Sequence, residues 1–236
     1  MNGDLHRRFP VAVNAEAMAL AWTRQEAAGA GAVVVVDHEI SPRGRLGRLW
    51  PHPQERTAVL AMVWRPALPA EAADVIWLAA SLGLLSGAVA VDANDELALW
   101  WPDAVVDPAG ERVGEVKAEV QLGPGRVTSA VVTGRLDIAA LGAIDREVAL
   151  PAIASGLHAA ALQLDEDPDG VRSTYAERSF LTGRRVVAHL LPRGEARGTV
   201  RSLDARGRLE LVSSTGLVEN VPIVGLDRIT VSPRVV

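Results

Sequence analysis

From Val75 to Val91 the chain runs for seventeen residues without a charge, bracketed by Asp74 and Asp92. Such a run has to leave water, and its length decides where it goes. A membrane-crossing helix needs about 20 apolar residues, and this stretch is interrupted by Gly83, Ser86 and Gly87. The pattern therefore predicts a long helix over Pro69 to Val89, apolar around most of its circumference and buried at the centre of the fold. No membrane partner is expected.

Around this helix the signals alternate. Asn14 to Ala28 reads as a helix stopped by Gly29 and Gly31. Ala32 to Val36 and Thr57 to Trp64 read as buried strands. Leu97 to Trp101 and Ala104 to Val106 flank Pro102, and Asp107-Pro108-Ala109-Gly110 has turn chemistry. Arg112 to Gln121 alternates strictly, with Gly114, Val116, Ala118 and Val120 on one face and Glu115, Lys117, Glu119 and Gln121 on the other. Val127 to Thr133 is a further strand, Ile144 to Leu164 a helix, Asp165 to Gly170 an acidic loop, and Val171 to Phe180 a short helix. After Gly183 the rhythm changes to five short strands, Arg185 to Leu190, Gly198 to Ser202, Leu209 to Ser213, Leu217 to Pro222 and Ile229 to Val231. That spacing suits a small barrel. The expected organisation is an α/β (α+β) domain over 1–181 and a small β-barrel over 182–236.

Composition removes several chemistries. The chain has no cysteine, so disulfides, thiolate metal sites and a cysteine nucleophile are excluded. His6, His38, His52, His158 and His189 are scattered without ligand spacing, so no structural metal is expected. The N-terminus is polar with no apolar signal core, which predicts a cytoplasmic protein. Net charge is −5, yet residues 171–236 carry eleven arginines against six acids. A basic C-terminal module can steer an acidic partner, and it equally suits a solvated arginine surface. Lys117 is the only lysine.

One loop stands apart: Arg43-Gly44-Arg45-Leu46-Gly47-Arg48-Leu49-Trp50. Glycines let backbone N–H groups approach an anion closely, and arginine forks grip phosphate or carboxylate. Taken alone, the segment serves as a phosphate-binding loop or as a solvated basic loop with nonspecific nucleic-acid contacts.

The loop resembles the R-G-R-x-G-R-x-W segment of the biotin/lipoate protein ligase family. The order of elements is similar too: Ala12-Val13-Asn14 opening a helix, the arginine loop, a long helix, Trp101-Pro102-Asp103, Arg112-Val113-Gly114, Tyr175-Ala176-Glu177-Arg178, and Leu181-Thr182-Gly183-Arg184-Arg185-Val186. The resemblance spans nearly the whole chain. It implies a mixed sheet with helices followed by an SH3-like β-barrel. It also implies a two-step reaction in which ATP activates the carboxylate of biotin as an acyl-adenylate and a carrier lysine then attacks. ATP and biotin would be the ligands, a carrier or other protein the partner, and a homodimer a further expectation. The cysteine-nucleophile lipoyl and octanoyl variants are excluded. Family members that bind DNA place a winged helix before the core. Asn14 already opens the core helix here, so no DNA partner is expected.

Carried over position by position, the resemblance makes Arg45 and Arg112 the catalytic candidates. Asn14, Glu39, Arg43, Gly44, Arg48, Trp50, Trp100, Asp103, Gly114, Glu115, Lys117 and Asp137 become the candidate ligand-binding set. The departures fall on these positions. Trp100 replaces a lysine, Asp103 an asparagine, Arg112 the catalytic lysine, Glu115 a glycine, Lys117 a leucine and Glu39 a glutamine. Ala12 and Val13 lack the family's hydroxyls, and the G-I-G-x-N strand reads Thr133-Gly134-Arg135-Leu136-Asp137. Losing one transition-state donor typically costs about 10²–10³ in rate. The expectation is therefore a divergent homologue with lost or strongly altered ligase activity, its cleft taking another small molecule or a protein. The alternative is an active acyl-protein ligase with rearranged residues. Two structural alternatives stay open: Glu115, Lys117 and Glu119 as an ion-paired strand face, and Trp100 as core packing.

Overall fold

The computed structural model describes residues 5–92 and 96–232. A seven-stranded mixed sheet has the order β1-β2-β3-β7-β6-β5-β4. Its strands are β1 (His6–Ala12), β2 (Val33–Glu39), β3 (Thr57–Trp64), β4 (Ala98–Trp100), β5 (Ala104–Val106), β6 (Arg112–Gly123) and β7 (Arg126–Asp137). The helices are α1 (Ala15–Gln25), α2 (Val75–Asp92), α3 (Arg146–Glu166) and α4 (Pro168–Glu177).

All eight residues of β3 are buried because both faces of the sheet are covered. Ala58, Leu60, Met62 and Trp64 join the cluster under α2 and α3. Val59, Ala61 and Val63 join Ala15, Ala19 and Trp22 of α1 on the other face. Period two along the strand thus feeds two cores. The uncharged helix lies in the larger core, as its sequence predicts. α2 and α3 are long and apolar enough to cross a bilayer by length and composition. Here they cover the sheet and approach each other through Gly83, Gly87 and Gly156. A Cβ on Gly156 would lie 2.2 Å from the Gly83 carbonyl oxygen, so backbone meets backbone at the crossing.

Two expectations need correcting. β1 was not foreseen; it pairs in parallel with β2, from His6 opposite Val33 to Ala12 opposite Glu39. It is a half-exposed edge whose arginines hide the strand signal. The acidic stretch 165–170 is not a loop. α3 runs through Glu166, and Asp167 caps α4, its Oδ1 accepting from Gly170 N at 2.9 Å with Pro168 in the first turn. Asp followed by Pro is a helix-start signal that outweighs the local charge density.

Five antiparallel strands follow, in the order β11-β10-β9-β8-β12. They are β8 (Arg185–Leu190), β9 (Glu195–Leu203), β10 (Leu209–Val212), β11 (Val218–Val221) and β12 (Leu226–Val231). This is the expected SH3-like module. It docks on the larger sheet partly through the Trp101 indole N–H, which donates to the Gly207 carbonyl at 3.2 Å.

Candidate functional site

The N-terminus of α1, the end of β2, the arginine loop and the facing residues of β6 and β7 converge on one buried patch. Asn14 caps α1, its Oδ1 accepting from Ala17 N at 2.7 Å, while its Nδ2 donates to the Ser41 carbonyl at 3.1 Å. Glu39 ends β2 and also serves the helix, its Oε1 accepting from Ala15 N at 2.7 Å. Backbone donors at a helix start attract carboxylates, so both side chains are committed to local structure.

Arg135 on β7 is 0 % exposed and Glu39 2 % exposed. The guanidinium donates to both Glu39 oxygens, with Nη2 at 3.2 Å from Oε1 and 3.1 Å from Oε2. Its Nη1 donates to the Arg43 carbonyl at 3.4 Å and lies 3.6 Å from Glu115 Oε1. Glu115 accepts from Arg112 Nη1 at 3.1 Å. Arg112 Nη2 lies 3.6 Å from Asp103, whose other oxygen accepts from Arg45 Nε at 2.9 Å. Three carboxylates and three guanidiniums therefore form one chain of alternating charge, Glu39–Arg135–Glu115–Arg112–Asp103–Arg45. Only Arg112, with its side chain 40 % exposed, keeps a substantial face toward solvent. Gly44 closes over the chain, since a Cβ there would sit 2.5 Å from Glu115 Oε1.

Burial pushes the Glu115 carboxyl above the ordinary carboxylate range, more strongly than Arg135 and Arg112 pull it down. Raised in the folded state, the group binds its proton more tightly there than in the unfolded chain. Its contribution to stability therefore falls as pH rises from about 4.3 through the raised value. The melting temperature of Glu115→Gln relative to wild type should therefore be higher at pH 7 than near pH 4. Melting temperatures of both proteins at both pH values test this, and a difference independent of pH would contradict it.

The remaining predicted residues divide. Lys117 pairs with Glu16 at 2.9 Å and Glu119 at 3.2 Å, beside the cluster, on the ion-paired face that the alternation suggested. Asp137, 1 % exposed, accepts from Arg56 Nη2 at 2.5 Å and lies 3.3 Å from His52 Nδ1. Trp50 is buried and donates to Thr57 Oγ1 at 2.9 Å, with its ring edge-on to His52. Arg43 folds back on its own loop, donating to Ser41 Oγ and the Gly47 carbonyl, and Arg48 pairs with Asp227.

Trp100 and Gly114 are taken up by packing. Trp100 stacks on Phe180 with ring centroids 5.5 Å apart, and Arg184 covers the same Phe180 ring. Gly114 serves packing, since a Cβ there would lie 2.7 Å from Leu136 Cδ2 and 3.2 Å from Leu84 on α2. Conversely, the residue at the centre of the cluster, Arg135, was absent from the candidate set. Its signal was a guanidinium ending an otherwise uncharged run from Val127 to Gly134. Among the described residues no group of three His, Cys, Asp or Glu side chains could hold a metal ion.

No family model matches the chain. It is 30% identical over 194 residues to the biotin–[acetyl-CoA-carboxylase] ligase of Mycobacterium tuberculosis, covering 76% of this chain and 72% of that protein. It is 28% identical over 103 residues to the bifunctional ligase/repressor BirA of Bacillus subtilis, covering 43% of this chain and 31% of the relative. Among solved structures, the biotin protein ligase of Aquifex aeolicus in complex with biotin and ATP superposes with a TM-score of 0.72 at 17% identity, over 96% of this chain and 99% of that one. A biotin protein ligase-like protein of unknown function from Silicibacter sp. superposes with a TM-score of 0.69 at 17% identity, over 93% and 95%. The structural likenesses give the fold, and the sequence shared along three quarters of its length shows that the chain belongs to the biotin protein ligase family.

Proposed function

We propose that this family member has lost, or strongly altered, the ligase chemistry and that its cleft recognises another small molecule or a protein. The observation that carries this reading is the buried chain of alternating charge around Arg135. In the family pattern a glycine stands at the position of Arg135 and another at that of Glu115. Here a guanidinium and a carboxylate fill that space and neutralise each other. The residues present do not fit ATP beside a carboxylate ligand. Glu39, Glu115 and Asp103 repel both, while Arg45 and Arg135 are committed to internal acceptors. The Oε1 atom of Glu115 is buried without a hydrogen-bond donor, which further disfavours an added anion.

Biotin-dependent exchange of labelled pyrophosphate into ATP tests the reading. Exchange is expected at background, whereas turnover would favour the second reading, an active ATP-dependent acyl-protein ligase. That alternative draws on the complete set of loop arginines and on the partly exposed Arg112. Under either reading we place the protein in the cytoplasm. A protein partner, acidic where it meets the arginine-rich barrel, and a homodimer remain part of the proposal.

A further inference from the structure

The arginine loop is tied down at its base and at its tip. At the base, Arg43 and Leu49 form an antiparallel bridge and Trp50 N donates to the Pro42 carbonyl at 2.9 Å. At the tip, Leu46 adopts φ +58° with its side chain half exposed, so burial of Leu46 does not hold that left-handed turn. The neighbouring Arg45 does. Its side chain is 10 % exposed, and besides Asp103 it donates to the Leu226 carbonyl at 2.5 Å and the Asp227 carbonyl at 3.0 Å. Both carbonyls belong to β12. The register of β12 against β8 shifts between Leu226 and Arg228, leaving Asp227 as the bulged residue with no partner opposite. Bulges re-aim backbone groups at functional edges. The Asp227 carboxylate adds a pair to Arg48 and one to Arg228 at 2.8 Å.

We propose that the β12 bulge is a latch: the barrel holds the arginine loop shut through Arg45 and Arg48, so that opening the loop and loosening β12 are one event. A guanidinium presents its donors in a rigid planar fork. With three of its five N–H donors committed to Asp103 and two barrel carbonyls and its side chain 10 % exposed, Arg45 cannot turn its full fork to an anion arriving in the cleft. An anion can take the full fork of Arg45 only when β12 lets go, and linkage makes the effect reciprocal, so a partner that pulls on the barrel frees the loop. The latch stands whether or not ligase chemistry is retained.

Hydrogen–deuterium exchange of the full chain, read by mass spectrometry, tests it. In Arg45→Gln, exchange should rise roughly tenfold or more both in the loop, 43–50, and in β12, 226–231, as expected when charge-assisted hydrogen bonds are lost. β3 should stay at its wild-type rate. Arg45→Lys keeps a charge for Asp103 without the fork and should fall between the two. Asp227→Ala, acting from the barrel side, should also raise exchange in the loop. Faster exchange confined to the loop in Arg45→Gln, with β12 unchanged, overturns the latch. Should Arg45→Gln loosen β3 as well, Asp227→Ala decides: faster exchange in both segments supports the coupling, and an unchanged loop overturns it.

Discussion

Replacing Arg135 by alanine is expected to destabilise the fold by about 3–5 kcal/mol, the usual consequence of leaving a buried charge without its partner. Glu39 would keep only the Ala15 backbone donor, in a site 2 % exposed. Glu115 would lose Arg135 at 3.6 Å, the fully buried one of its two cations, and keep only Arg112 at 3.1 Å. A surface ion pair would contribute only about 0–1 kcal/mol, so the size of the loss separates a core element from decoration. Replacing both partners, as Arg135→Met with Glu39→Gln, should cost clearly less than the sum of the single changes. Glutamine can still accept from Ala15 N, and no charge is stranded. Urea unfolding of the four proteins gives the coupling. A loss below about 1 kcal/mol for Arg135→Ala would mean that the pair is not buried as described.

Gly156→Ala should be the other severe change. The added methyl would meet the Gly83 carbonyl oxygen at 2.2 Å and the Gly87 nitrogen at 3.0 Å, both backbone atoms of α2. Neither can swing aside, so the helices have to separate. The main core under the sheet then loses contact along their whole crossing. Overpacking of this kind costs about 1–3 kcal/mol, and more where backbone is displaced. The gain in helix propensity, about 1 kcal/mol for Gly to Ala, offsets only part. Gly29→Ala is the control, since its Cβ would make an ordinary 3.7 Å contact with Leu5. Thermal unfolding should show a drop of many degrees for Gly156→Ala and little change for Gly29→Ala.

Where the sequence was explicit, periodicity met burial directly. β3 and β5 occupy the predicted residues because an uninterrupted apolar run has no other place in a two-faced sheet. The alternation of β6 separated core-facing Val116 and Ala118 from the ion-paired Lys117 and Glu119 for the same reason. β1 escaped because an edge strand needs little apolar surface, and Arg7 and Arg8 find partners in Glu26, Asp37 and Glu147 rather than water alone.

The site was legible as a set of departures, not as an arrangement. Glu39, Asp103, Glu115, Arg112 and Arg45 were named from their positions, and the structure gathers all five. What joins them is long-range. Arg135 meets Glu39 across 96 residues, and Arg45 meets the barrel across more than 180. Pairings at such separation leave no local pattern. Trp100 shows the converse: a conspicuous substitution at a motif position whose ring turns to Phe180.

The central claim, that a neutralised ion cluster occupies the cleft in place of the family's ligands, is tested most directly by isothermal titration calorimetry with biotin, ATP and a non-hydrolysable biotinyl-adenylate mimic. The account predicts no binding heat from any of the three while circular dichroism shows a folded protein. Tight binding of the mimic, abolished by Arg45→Ala, would contradict it and show that the arginine loop still closes on an adenylate.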